Sequence, residues 1–148
     1  KFNKKDFKQI HPAGSLGAQL KTVEDIMITG TNIPFVNENL KSSKALKILS
    51  EKKLGILIIR NKIRKTIGII TDGQIRRFSQ KNLNFQNLPV KKIMTKKPIF
   101  IDKNELAAKA LSTMNNKKIT SLLVNNKKKP FKTIGVIHIH TILQSNIS

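Results

Sequence analysis

The feature that most constrains this chain is an internal duplication. Val23-Glu-Asp-Ile-Met27 followed by Ile33-Pro-Phe-Val36 is echoed by Val90-Lys-Lys-Ile-Met94 followed by Pro98-Ile-Phe-Ile101. Lys65-Thr-Ile-Gly-Ile-Ile-Thr71 is echoed by Lys132-Thr-Ile-Gly-Val-Ile-His138. Met27 to Met94 and Gly68 to Gly135 are both 67 positions apart, two independent anchors at one offset. A unit this small cannot bury both faces of its own sheet, so two copies must pack together to make a core.

Each copy repeats one order of elements. A short strand leads into a helical stretch with a single apolar stripe. The stripe is Ala45, Leu46, Ile48 and Leu49 in Leu40 to Lys53, and Leu106, Ala107, Ala110, Leu111 and Met114 in Glu105 to Lys117. Asn39 and Asn104 stand where N-caps belong. Short apolar strands follow, Ile56 to Ile59 and Leu122 to Val124, each ending in a charged turn, 61–65 and 125–129. The next strands open helices carrying Ile75 and Phe78 in one copy and Ile142 and Leu143 in the other. The expected class is therefore α+β: two β-α-β-β-α repeats whose small sheets face each other about a pseudo-twofold axis and leave clefts between them. Residues 20–84 form the first repeat, 85–148 the second, and 1–19 read as a linker.

Composition removes several function classes. With 39% hydrophobic residues the chain is no disordered tail, and without cysteine it has neither disulfides nor thiolate metal sites. No apolar run approaches the 18 or more residues of a membrane span, so a cytoplasmic, membrane-free protein is the default. The formal charge of +21 admits a nucleic-acid binder. Against it, 25 of the 29 basic residues are lysine, spread evenly, while phosphate readers favour the bidentate arginine fork. The seven aromatics are all Phe, and none is interleaved with a basic stripe as a base-stacking platform needs. Nucleic acid is thus disfavoured as a partner, and the charge reads as lysine bias.

The order of elements resembles a tandem pair of CBS (cystathionine β-synthase) domains over about residues 20 to 148. The resemblance is carried by the two Ile-Met starts, the Gly68-Ile-Ile-Thr71 strand end and the Ala-Leu helix pairs. Around these, His11-Pro-Ala-Gly-Ser-Leu-Gly17, Thr71-Asp-Gly73 with Arg76-Arg77, Ile119-Thr-Ser121 and Gly135-Val-Ile-His-Ile-His140 look like the bacterial arabinose 5-phosphate isomerases. In that family a sugar-isomerase (SIS) domain precedes the CBS pair. The resemblance implies that this chain is the C-terminal part of such an enzyme and lacks the catalytic domain. The parent would interconvert D-arabinose 5-phosphate and D-ribulose 5-phosphate for Kdo and lipopolysaccharide synthesis. It also implies a homodimer within a tetrameric parent, and no cofactor.

Site residues follow from the same comparison, each beside a plainer reading. The resemblance places His11 in the isomerase active site of the full-length parent; alone, it is a linker histidine. Gly14 and Gly17 serve turns between domains. Thr71 ends a strand and opens a helix, where its hydroxyl and the free backbone N–H groups beyond it, in the run with Asp72 and Gly73, suit an anion; a plain N-cap has the same preference. Arg76 and Arg77 stand out because arginine is scarce, and one of them could meet a phosphate or carboxylate; an exposed helix face is the alternative. His138 and His140, two apart at a strand end, are expected to point the same way. No third ligand accompanies them, so a ligand contact is favoured over a metal pair. Ile119, Thr120 and Ser121, and in parallel Leu54, Gly55 and Ile56, lie where CBS domains present backbone groups to a base.

One departure matters. Many CBS domains carry an Asp three residues after the Thr, which holds a ribose; here those positions are Gln74 and Thr141. A hydrogen bond to a charged group contributes about 1.5–3 kcal/mol, so tight adenosine-nucleotide binding in the usual mode is disfavoured. The resemblance suggests CMP-Kdo, whose phosphate and carboxylate suit a basic cleft. The alternatives are a nucleic-acid-binding module driven by charge and a ligand-free oligomerisation element.

Overall fold

The computed structural model describes residues 20–81 and 83–145. His11, Gly14 and Gly17 lie outside the described residues. Within them the chain forms α1 (Val23–Ile26), β1 (Phe35–Asn37), α2 (Ser42–Lys52), β2 (Ile56–Arg60), β3 (Thr66–Thr71) and α3 (Asp72–Gln80). The same order recurs in β4 (Phe100–Asp102), α4 (Ala107–Lys117), β5 (Ser121–Asn125), β6 (Gly135–His138) and α5 (Ile139–Gln144). Two three-stranded sheets result, ordered β1-β2-β3 and β4-β5-β6. In each, the first strand runs parallel to the second and the second antiparallel to the third, so both sheets are mixed and the fold is α+β.

The chain divides into two compact units that do not follow the sequence copies end to end. The first-copy unit comprises residues 30–99 and Phe131–Thr133. The second-copy unit comprises residues 20–29, 100–130 and 134–145. Each therefore recruits the segment that precedes the other copy. In the second-copy core, Val23 and Ile26 pack with Ile101, Ala110, Met114, Leu122, Val124, Ile137 and Ile142. In the first-copy core, Phe85, Val90 and Ile93 pack with Val36, Ala45, Leu49, Leu57, Ile59 and Ile70. Burying one such aliphatic side chain contributes about 1.5–3 kcal/mol, so the recruited residues are a large share of a small core.

Glycine makes that recruitment possible. Ile69 exchanges both backbone hydrogen bonds with Thr95, at 3.0 and 2.8 Å, and Met94 lies over Gly68. A Cβ on Gly68 would sit 2.9 Å from the Thr95 carbonyl oxygen and collide with Met94. Likewise Val136 exchanges both bonds with Ile28, at 3.0 and 2.8 Å, and Met27 lies over Gly135.

The central strands explain their own composition. β2 is buried along Ile56–Ile59, on both faces, so it reads as a continuous apolar run without alternation. β3, half covered, alternates buried and half-buried residues.

The helix starts differ from the expectation. Asn39 and Asn104 are not N-caps; Lys41 and Leu106 hold those positions and neither caps with its side chain. The first-turn amides find backbone carbonyls instead: Ser42 and Ser43 donate to Leu88 and Gln86, at 2.8 and 2.9 Å, and Ala107 donates to Lys21 at 2.9 Å. Asn39 and Asn104 offer only their backbone amides, to the side chains of Asn37 and Asp102. The tertiary partner displaces the local cap, and the helices begin two residues later.

Gly68→Ala and Gly135→Ala are each expected to destabilise the protein by about 1–3 kcal/mol, the usual cost of overpacking. Thermal unfolding should show the midpoint falling by roughly 2–4 °C per kcal/mol. An unchanged midpoint in both variants would refute the tight approach.

Candidate functional site

The expected site residues gather in two places, one in each unit. In the first-copy unit, β3 delivers Thr71 to the mouth of α3. Thr71 is the N-cap, and its Oγ1 accepts from the Gln74 amide at 3.2 Å. The Asp72 amide donates to the Gly55 carbonyl at 3.1 Å, which brings the Leu54-Gly55 turn against the helix start. Gly55 adopts φ +71°, and a Cβ there would lie 3.1 Å from the Asp72 carboxylate, so this turn needs glycine for two reasons. Arg77 folds back over Gly73, with Nη1 3.5 Å from the position of a Cβ on that glycine. Arg76 and Arg77 are both exposed.

Gln74 is turned the other way. It is buried, its Nε2 donates to the Ile93 carbonyl, and its Oε1 accepts from the Thr95 hydroxyl at 3.3 Å. The side chain three residues after Thr71 therefore clamps the recruited segment.

The second-copy unit repeats the geometry with different chemistry. The Ile139 amide donates to the Thr120 carbonyl at 2.9 Å, the counterpart of the Asp72–Gly55 bond. Ser121 pairs with His138 across the strands, so Ile119, Thr120, Ser121 and His138 share one end of the sheet. His138 and His140 do meet, but not through strand alternation, because β6 ends at His138 and His140 already belongs to α5. His138 is the N-cap, and its Nδ1 accepts from the His140 amide at 3.1 Å. The two rings stack with centroids 4.9 Å apart. Thr141 is half-buried and its carbonyl accepts from Ser145 Oγ at 3.0 Å.

Electrostatics sharpen the difference between the turns. Burial, and then the neighbouring His140, hold the His138 pKa below its usual 6.5. The neutral tautomer that keeps Nδ1 as acceptor, with the proton on Nε2, is thereby favoured. Among the described residues, no group of three or more His, Asp or Glu is placed to hold a metal ion. Among them too, no helix is long and apolar enough to cross a membrane.

Sequence reasoning overlooked another cluster, at the far end of the first-copy sheet. Phe35, Val36, Asn37, Arg60, Asn61, Lys62 and Arg64 line a cavity of about 250 Å³. The available signal was arginine placement: two of only four arginines stand at a strand end and in the turn beyond it.

Two strand-to-helix turns, each closed by the same backbone bond within interleaved repeats, define a tandem-repeat module whose two sheets present equivalent but chemically distinct ends. The chain belongs to the CBS domain family, whose model matches residues 23–81 and 90–147. It is 35% identical over 147 residues to "Arabinose 5-phosphate isomerase KdsD" of Yersinia pestis, and equally to "Uncharacterized protein RP505" of Rickettsia prowazekii. Each match covers 99% of this chain and 44% of the relative, so the chain spans less than half the length of these proteins. Among solved structures, an uncharacterised conserved protein from Pyrococcus horikoshii matches with TM-score 0.74 and 21% identity over 86% of this chain and 93% of that one. CBSX2 in complex with AMP matches with TM-score 0.73 and 20% identity, over 84% and 95%. The CBS pair of protein MJ0100, in complex with 5'-methylthioadenosine and S-adenosyl-L-methionine, matches with TM-score 0.72 and 22% identity, over 84% and 94%. At these identities the structural likeness establishes the fold.

The lowered His138 pKa fixes the sign of a pH dependence. Below pH 6.5 the unfolded chain binds a proton that the folded protein refuses. The contribution of His138 to stability is therefore full above about pH 6.5 and declines as pH falls from there toward the lowered folded value. In an NMR titration the His138 ring is expected to show a midpoint under 6.5. His138→Asn, which retains a capping acceptor, should flatten the acid limb of the stability curve. A His138 midpoint at or above 6.5 would contradict the buried neutral cap.

Proposed function

We propose that the chain is the regulatory CBS pair of an arabinose 5-phosphate isomerase, and that it senses a nucleotide or nucleotide-sugar. The observation that carries this reading is the 35% identity, over 99% of the chain, to a protein named as that isomerase. The parent would be a cytoplasmic enzyme of Kdo and lipopolysaccharide synthesis, with a SIS domain preceding this pair and His11 serving its active site. A homodimer of the pair would sit within a tetrameric parent.

The strand-to-helix turns are the proposed ligand-contact regions. Leu54, Gly55, Thr71, Asp72 and Gly73 serve one, with Arg76 and Arg77 nearby as anion partners. Ile119, Thr120, Ser121, His138 and His140 serve the other. Gln74 is committed to Ile93 and Thr95 and Thr141 carries no carboxylate, so a ribose diol would lack its familiar acceptor in both copies. That favours an effector held by phosphate and carboxylate groups, such as CMP-Kdo, over AMP. Such an effector biases the catalytic domain only through unequal affinity for two states of the protein.

Calorimetry with CMP-Kdo, CMP, AMP and ATP tests the proposal. CMP-Kdo is expected to give the largest heat and, at 100 times its Kd, about 2.7 kcal/mol of stabilisation. Arg76→Ala and Arg77→Ala, made singly, should show which arginine contributes; affinity unchanged in both removes the arginines from the site. No heat and no thermal shift with any of the four compounds would end the sensing proposal.

A further inference from the structure

The cavity at the far end of the first-copy sheet has the makings of a second site. β1 and β2 run parallel there, with Asn37 paired to Arg60. Thr71 pairs with Ile56 at the opposite end of β2, so the cavity is separated from the Thr71 turn by the length of a strand. Its polar lining consists of Asn37, Arg60, Asn61, Lys62 and Arg64.

Every polar side chain that lines it offers a donor. Asn37 Oδ1 accepts from the Asn39 amide at 2.8 Å, and Asn61 Oδ1 accepts from the Ile63 and Lys65 amides at 3.1 and 3.0 Å. Each amide oxygen is thus spent on its own turn, and the NH2 group is what remains. Among the described residues, Arg60, Lys62 and Arg64 enter no ion pair, and neither guanidinium donates a hydrogen bond to the protein. Glu38, beside Asn37, contributes its amide to the Arg60 carbonyl at 3.1 Å, and its side chain forms no ion pair. The Arg60 guanidinium carbon lies over the Phe35 ring, 3.6 Å from its centre. Burial lowers its pKa from the usual value, and Arg64 acts in the same direction.

The other copy provides an internal control. At the equivalent corner, Asp102 pairs with Asn125. Asp102 accepts from the Lys127 amide at 2.9 Å and the Asn104 amide at 3.0 Å, and Asn125 Nδ2 donates to the Pro130 carbonyl at 2.9 Å. That corner satisfies itself. The first-copy corner instead places two arginines and a lysine around open space, in a chain with only four arginines.

We propose that this cavity binds a compact organic phosphate, the phosphoryl group held by Arg60, Arg64 and Lys62 with the Asn37 and Asn61 amides as further donors. A planar, stacked guanidinium with free forks suits a phosphoryl group better than a halide or a lone carboxylate, because two parallel N–H groups meet two oxygens. The volume of about 250 Å³ lies below the range of drug-sized ligands, so the occupant is small.

NMR titration at low ionic strength tests the proposal, with inorganic phosphate, ribose 5-phosphate and uncharged ribose as probes. Ribose 5-phosphate is expected to shift the Arg60 and Arg64 Nε–H and the Asn37 and Asn61 side-chain signals saturably. Phosphate should do so more weakly, and ribose not at all. Arg60→Gln and the double variant Lys62→Gln/Arg64→Gly, whose glycine keeps the φ of 62° found at Arg64, should each weaken binding by about tenfold or more. Thr71→Val should leave this binding unchanged. If phosphate alone binds as tightly as the sugar phosphate, the site is one for the free ion and the organic-phosphate proposal fails. Shifts spread evenly over the lysines, or affinity left unchanged by both cavity variants, would also overturn it. So would duplex DNA binding that depends on these residues when ribose 5-phosphate gives no shift.

Discussion

The structure depends on two close approaches, Met94 on Gly68 and Met27 on Gly135. At each, a segment preceding one copy lies against a strand of the other, near enough for paired backbone hydrogen bonds. Hydrophobic burial holds the segment in place, with Val90 and Ile93 in one core and Val23 and Ile26 in the other. Neither copy could complete its core from its own residues alone, which is the physical content of the duplication. A methionine suits this contact because its unbranched thioether can lie flat across a bare backbone.

That recruitment also determines what becomes of Gln74. Position three of α3 would be free to reach outward if the segment Ile93–Thr95 were absent. With the segment present, the Ile93 carbonyl needs a donor in a buried place, and the Gln74 amide supplies it while accepting from the hydroxyl of the exposed Thr95. An unpartnered buried polar group costs about 1–3 kcal/mol, so an amide is favoured there over a carboxylate, which could not donate to the Ile93 carbonyl. Gln74 is therefore structural, and the amide at this turn has a packing cause. The second copy lacks any such clamp at Thr141, and its turn is organised by His138, a cap whose acceptor disappears on protonation.

Much of this was legible in the residues. The 67-residue offset, the two apolar runs and the helix stripes led directly to two small sheets with helices, because periodicity reports burial and burial makes the fold. The helix starts were not legible: Asn39 and Asn104 fit the local capping rule, but carbonyls at Gln86, Leu88 and Lys21, distant in sequence, took the first-turn amides. The meeting of His138 with His140 was anticipated for the wrong reason, since the strand stops at His138 and the helix cap brings the rings together. The interleaving of copies was invisible for a similar reason. Val23 and Ile26 announce an apolar face but not which sheet it covers.

Charge shows the same limit from another side. Read as composition, +21 is an undirected property of a lysine-rich chain, and lysines on an exposed surface stay solvated wherever they fall. Arginine behaves differently here, because all four arginines lie in the first copy. Two stand near the Thr71 turn and two at the opposite end of the sheet, at Arg60 and Arg64. At the corner equivalent to the second pair, the other copy has Asp102 and Asn125, which close their own hydrogen bonds. A scaffold with near twofold repetition has thus been made electrostatically one-sided. Any anionic group would therefore meet arginine partners in one unit alone, and it could shift the protein only through unequal affinity for two states.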